Sequence, residues 1–327
     1  MGSSKDAVIR LLFMVAFFWA CRVGWHLDQE VRIRRQQKPT SDPQYWDLVP
    51  VAGIALSMLV SQFLFVSLFA PVARAMIPKQ TRWSTTVWGV KQMRCSAAVF
   101  KCSYYATMTI WGFTIVRHES WLPSVLGGSG STRSCWTDGF PFQQNPPELR
   151  RFYLTAIGYH FSEAAMVLLE SPKPDFWEML LHHALACSLT SYSYVLSYVR
   201  LGSLVLLLHG ATDVFVYASK ALVDTQCRWV LALTYKGLVV TYGYFRIFVF
   251  PVYIMHSAFM ESQQEVEWQR LFGWNYLNFA MCCLLSLHVY WFGLIVKIGL
   301  LYGRTGQMRD LQSNLSSAEL EKQKKRS

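Results

Sequence analysis

Acidic residues are scarce in this chain. It has 20 Asp and Glu among 327 residues, against 31 Lys and Arg, and charged residues make up only 16% of it. Soluble domains run nearer about 25% charged, so a water-exposed surface is hard to build from this composition. No CxxC pair occurs among the eight Cys, at 21, 95, 102, 135, 187, 227, 282 and 283, which excludes a zinc ribbon. Most of them lie in apolar runs, where Cys acts as a small hydrophobe. Cys135 stands apart in a long polar loop, and no structural disulfide is expected there. Period-two alternation is also missing, which excludes an outer-membrane barrel.

What the chain has is apolar length. Hydrophobic residues make up 53%, in eight segments: 7–27, 47–70, 98–117, 150–170, 176–198, 201–221, 229–254 and 274–302. A membrane-spanning helix needs about 20 mostly apolar residues. The expected fold is therefore all-α, a polytopic membrane protein with seven or eight transmembrane helices. Segment 7–27 lacks a small-residue cleavage site, so it reads as a span or an interfacial anchor, not a signal peptide. Three regions follow: 1–97, with one or two spans and a basic loop; a helical domain, 98–302; and a polar tail, 303–327, expected to be disordered.

The net charge of +11 lies mostly between the apolar runs and in the tail. That is the signature of membrane topology, not of nucleic-acid binding. Segment 71–97 carries Arg74, Lys79, Arg82, Lys91 and Arg94 and no acid, which places it in the cytosol together with the tail. Loops 118–149 and 255–273 are then luminal, with an irregular stretch at Gly127–Ser131. The terminal Lys324 and Lys325 have the spacing of a dilysine retrieval signal, so the endoplasmic reticulum is the expected membrane.

Ionisable side chains inside a span are costly, and each is a functional candidate. Two adjacent segments concentrate them: His182 and His183, then His209 and Asp213. At ~1.5 Å of rise per residue, His182 and His183 lie roughly 10–12 Å from the cytosolic end of their helix. Asp213 lies about 10 Å and His209 about 16 Å from that end of the next. Antiparallel helices thus bring all four to similar depth. His209 and Asp213, four apart, share a face, so Asp213 is expected to orient His209. Glu178 is placed to orient His182. His160, His256 and His288 are isolated and read as packing residues. Repeated histidine boxes, the iron-binding pattern of membrane desaturases, do not occur, and no metal site is expected.

The run PKPDFWEMLLHHALACSLTSYSYVLSYVRLGSLVLLLHGATDVFVYASK, Pro172 to Lys220, resembles the signature stretch of ceramide synthases in the TLC-domain family. The matching positions are Asp175, Phe176, His182, His183, Ser193, Tyr194, Arg200, Gly202, His209, Asp213 and Lys220. RIFVFP, Arg246 to Pro251, and Cys135-Trp136 followed by Pro141 resemble further family elements. Three positions depart: Gly210 stands for the first Asp of His-Asp-x-x-Asp, Tyr217 for a Glu, and Ser197 for a common Asn. The resemblance implies a TLC-type six-helix core and acyl transfer from acyl-CoA to a sphingoid base, giving (dihydro)ceramide. It implies catalytic roles for His182, His183, His209 and Asp213, and substrate binding by Ser193, Tyr194, Arg200, Lys220 and Arg246. Acyl-CoA, as co-substrate, and the sphingoid base would be the ligands, alongside membrane lipids; no separate cofactor is implied, and oligomeric state is left open. A non-catalytic lipid-binding or lipid-sensing member of the same family is the alternative.

Overall fold

The computed structural model describes residues 22–34, 36, 43, 45–81, 83–170 and 175–305. Residues before 22, the tail after 305 with its dilysine, and Pro172–Pro174 of the signature run lie outside the described residues. The described chain is helical, with residues 22–34 preceding seven long helices: α1 Val49–Met76, α2 Thr85–Val116, α3 Pro147–Leu169, α4 Phe176–Val195, α5 Val199–Leu222, α6 Arg228–Glu265 and α7 Trp274–Thr305. Every apolar segment from 47 onward is a helix. Five stretches are long and apolar enough to cross a membrane: Tyr45–Met76, Pro147–Leu169, Val199–Leu222, Arg228–Glu265 and Trp274–Arg304. Helices α2 and α4 fall outside that group. They carry Lys91, Arg94 and Lys101 in one and His182 and His183 in the other, which lowers their mean hydropathy.

Several boundaries differ from the sequence reading. The basic segment 71–97 is not a loop: α1 runs to Met76 and α2 starts at Thr85, capped by Ser84 Oγ, which accepts from Val87 N at 3.2 Å. Lys91 and Arg94 are therefore helical. The apolar segment 229–254 is also longer than its hydrophobicity suggests, since α6 continues to Glu265 and takes most of the expected loop 255–273. From Tyr242 to Met255 it is a π-helix containing Pro251. Proline has no N–H and its ring clashes with the carbonyl four residues back, so the backbone widens there. In that wide turn Tyr242, Arg246, Phe250 and Ile254 are all buried.

The outside of the bundle is apolar. Leu56, Phe63, Leu64 and Leu68 of α1 and Trp229, Leu233 and Val240 of α6 are exposed. A patch of that extent is what contact with lipid tails requires.

One end of the bundle is closed by residues 117–146. This segment is packed: Trp121, Leu122, Cys135, Trp136 and Phe140 are buried, so Cys135 sits in the core, not in a polar loop. Trp136 Nε1 donates to Ser257 Oγ at 2.9 Å, and Thr132 Oγ1 donates to Glu261 at 2.8 Å. A Cβ on Gly130 would lie 2.0 Å from the Ser120 carbonyl oxygen, so only glycine permits this fold-back. Arg200, at the start of α5, ties the segment down. Its guanidinium donates to the carbonyls of Ser134 (3.0 Å) and Gln144 (3.1 Å), to Asn145 (3.1 Å) and to Asp138 (2.9 Å), and stacks over Trp121. The α4–α5 turn beside it needs a left-handed residue, Ser197 at φ +70°. That conformation is one Asn enters more readily than most residues, which accounts for the Asn usual at this place in the resemblance.

Removing the Arg200 side chain leaves the Ser134 and Gln144 carbonyls and Asn145 without their donor, at up to about 1–3 kcal/mol for each group that water does not reach. Arg200→Ala should lower the thermal midpoint in detergent and expose residues 117–146 to protease, with the other end of the bundle intact.

Candidate functional site

The polar residues of α4, α5, α6 and α7 meet around a cavity of about 190 Å³ at the end opposite residues 117–146. His182 comes from α4, Asp213, Tyr217 and Lys220 from α5, Tyr242 and Arg246 from α6 and Trp291 from α7. Helical spacing explains the grouping. Asp213, Val216 and Lys220 form one stripe of α5, and Trp291, Leu294, Ile295 and Ile298 one stripe of α7. The deep wall is polar and the outer wall, with Val223, Leu231 and Ile298, is apolar.

Asp213 Oδ1 accepts from Arg246 Nη2 at 2.6 Å. The same guanidinium reaches the His209 carbonyl at 3.3 Å and lies 5.0 Å from the centroid of the Tyr242 ring. This pairing replaces the one expected from sequence: Asp213 does not orient the His209 ring. His209 Nδ1 lies 2.7 Å from the Val205 carbonyl and its Nε2 lies 3.0 Å from His288 Nε2. A carbonyl only accepts, so Nδ1 carries the proton, and His209 Nε2 accepts from His288 Nε2–H. Both ring nitrogens of His209 are thus engaged, and its side chain does not border the cavity. His209 therefore presents no free ring nitrogen to the cavity. His288 is the other revision. It is fully buried and bonded to His209, so it is part of the polar cluster and not an isolated packing residue.

His182 borders the cavity with its ring edge-on to Trp291, centroids 5.1 Å apart. The rings of His182 and His183 are 5.2 Å apart, and His183 is buried away from the cavity. Neither Nδ1 has a hydrogen-bond partner among the described residues. Glu178, expected to hold His182, makes no hydrogen bond to it. A half-buried imidazole with an unengaged ring nitrogen beside a cavity is within reach of a ligand there.

The other expected binding residues divide. Lys220 and Arg246 border the cavity. Ser193, Tyr194 and Arg200 lie toward the far end of the bundle, away from this cavity: Ser193 borders a smaller inner cavity with its Oγ 2.5 Å from Tyr153 Oη, Tyr194 Oη donates to Asp47 at 3.0 Å, and Arg200 holds residues 117–146. About 30 Å of helix separates Arg200 from Lys220, too far for both to contact the same polar group.

Sequence reading missed a second buried ion pair. Lys101 of α2 is bonded to Glu163 of α3, and Lys101 and Lys220 each lie 5.6 Å from the centroid of the Tyr217 ring. Tyr217 stacks on Tyr105 at 5.5 Å. Both charges stand inside apolar runs, and the cost of intramembrane charge was the signal that pointed to them. No group of three or more His, Cys, Asp and Glu close enough to hold a metal ion occurs among the described residues.

The fold and this cavity define a polytopic membrane protein with a mostly apolar chamber, polar at its deep wall, sunk in one end of a helical bundle. The TLC domain family pattern matches residues 94–297, and the chain belongs to that family. It is similar to the worm (Caenorhabditis elegans) Ceramide synthase hyl-2, 25% identical over 291 residues, which cover 85% of this chain and 86% of that one. It is 29% identical to Ceramide synthase 4 of Bos taurus over 221 residues, 67% of this chain and 54% of the relative. It is 25% identical to Ceramide synthase LOH2 of Arabidopsis thaliana over 230 residues, 68% and 75%. The chain thus spans most of the worm protein and about half of the bovine one.

Gly210, where the family motif carries an acid, faces α2. A Cβ there would lie 2.7 Å from Thr109 Oγ1. Helices α2 and α5 form the most extensive contact in the bundle, and Gly210 lets them approach. Gly210→Ala should therefore lower the detergent thermal midpoint, and Thr109→Ala in the same chain should restore part of it. Gly210→Asp should lower folded yield more than Gly210→Ala, since the carboxylate adds a desolvation cost.

Proposed function

We propose that this chain N-acylates a sphingoid base with acyl-CoA, giving (dihydro)ceramide, as a multi-pass protein of the endoplasmic reticulum with its tail in the cytosol. The observation that carries the reading is His182, with an unengaged ring nitrogen, beside the Asp213–Arg246 pair in a chamber open at the basic end of the bundle. Similarity to ceramide synthases of worm, mammal and plant supports the same chemistry. Helices α1 to α7 would be seven spans, with α2 to α7 as the six-helix TLC core. An eighth span over 7–27 would run mostly through residues before 22, which lie outside the described residues.

The chemistry follows from the groups present. A sphingoid amine is an ammonium near neutral pH and must lose a proton before it can attack. His182 is placed to take that proton. The amine nitrogen then attacks the thioester carbonyl, forming C–N as C–S breaks. The thiolate of CoA leaves and is protonated, and the net reaction yields amide, CoA thiol and one proton. An acyl-histidine on His182 is the two-step route to the same balance. Arg246 and the indole N–H of Trp291, which is buried without an acceptor, are donors available to the developing oxyanion. Arg246 is held in place by Asp213, so Asp213 is a positioning residue. Lys220 at the mouth suits the phosphates of CoA.

General acid–base catalysis contributes ~10²–10⁴-fold. His182→Ala, and the pair His182→Ala with His183→Ala, should lose N-acyl transfer on that scale while the protein stays folded by circular dichroism. Full activity in the folded double variant would remove histidine from the mechanism. Asp213→Asn should keep the fold better than Asp213→Ala, because removing one partner of a buried ion pair costs about 3–5 kcal/mol.

A further inference from the structure

A second cavity lies deeper in the bundle, and it stands on the same helical stripes as the first. It has about 60 Å³ and is mostly apolar, lined on α4 by Leu189 and Thr190, on α5 by Val205 and Leu206, and on α7 by Leu277 and Met281. On α5 the stripe runs through Gly202, Val205 and Leu206 to Asp213, Val216 and Lys220, and the residue midway is His209. On α7 it runs through Leu277 and Met281 to Trp291 and Ile298, and the residue midway is His288. On α4 it runs from Met179 and His182 to Leu189, with Ala186 between. From Leu206 to Asp213 is about 10 Å of helix rise. Three helices thus place the two cavities one behind the other, with one layer of side chains separating them.

That layer is the His209–His288 hydrogen bond at 3.0 Å, backed by Phe250, whose ring sits edge-on to both imidazoles at 5.6 and 5.3 Å. Phe250 and His288 are fully buried. The bond is a single neutral hydrogen bond between helices α5 and α7. Its net worth is modest, so opening it is within reach of a buried apolar chain.

We propose that this His209–His288–Phe250 layer is a partition in the acyl site, and that the inner cavity seats the far end of a long acyl chain once the partition parts. The proposal rests on the acyl-transfer reading above. With the CoA phosphates at the mouth and the thioester beside His182, the shared helical stripes lead the acyl tail toward the inner cavity. A saturated hydrocarbon suits the apolar stripe of Leu189, Val205, Leu206, Leu277 and Met281. The size of the inner cavity, and the ease of opening the partition, then set the upper limit of acyl length.

The test is a competition assay on the purified full-length chain, with sphinganine and an equimolar ladder of saturated acyl-CoAs, read as the length distribution of the ceramides. Met281→Phe and Ala258→Leu fill the inner cavity without touching the outer chamber. Each should cut the longest products of the parent by about fourfold per methylene displaced, from the free energy of burying a CH₂, and leave the shortest unchanged. Phe250→Ala and His288→Ala should raise the share of long products, and Met281→Phe added to either should reverse that gain. An unchanged length profile in folded filling variants, or an equal loss at every length, would overturn the proposal. A parent that makes no ceramide from any acyl-CoA would instead overturn the acyl-transfer reading.

Discussion

The Asp213–Arg246 ion pair ties α5 to α6, and the chamber is built around it. Two opposite charges at 2.6 Å, inside helices that face lipid, are tolerable only together. Arg246 reaches Asp213 from a π-helical stretch of α6, and that stretch is wide because Pro251 cannot continue an ordinary helix. The same guanidinium touches the His209 carbonyl and the Tyr242 ring, so α5 and α6 are locked at the depth where His182 enters from α4. The chamber wall is therefore set by electrostatics, and the apolar stripes on either side fill in around it.

The two ends of the bundle do different work. Residues 117–146, held by Arg200, close one end with buried aromatics and backbone-directed hydrogen bonds. The other end opens among Lys220, Val223 and Leu231. A lipid-linked reaction with a water-soluble thiol as leaving group needs that polarity: one mouth facing water, one sealed apolar interior.

Much of this was legible in the sequence. The helices from 47 onward followed from apolar length, and the rise per residue along two antiparallel helices put His182 and Asp213 at one depth. What failed was partner choice. Asp213 four residues after His209 looked like a pair, yet a partner 33 residues further along the chain, Arg246, holds it instead. His288 was read as packing because its hydrogen-bond partner is 79 residues away, and local spacing carries no trace of it. Lys101 and Glu163, 62 residues apart, were missed for the same reason, although each broke an apolar run. Ser193, Tyr194 and Arg200 were grouped with the site because they share its motif. Motif membership says that a residue matters to the fold or the site, and only placement says which. Gly210 shows the converse: the absent acid reads in the structure as close helix packing against Thr109.

This chamber is proposed to transfer an acyl group to an amine. The most direct measurement is the purified chain in detergent with sphinganine and acyl-CoAs of several lengths, following CoA thiol release and ceramide by mass spectrometry together. Equimolar thiol and ceramide are expected for at least one acyl length, dependent on both substrates. Lipid binding with neither thiol nor ceramide at any length would contradict it.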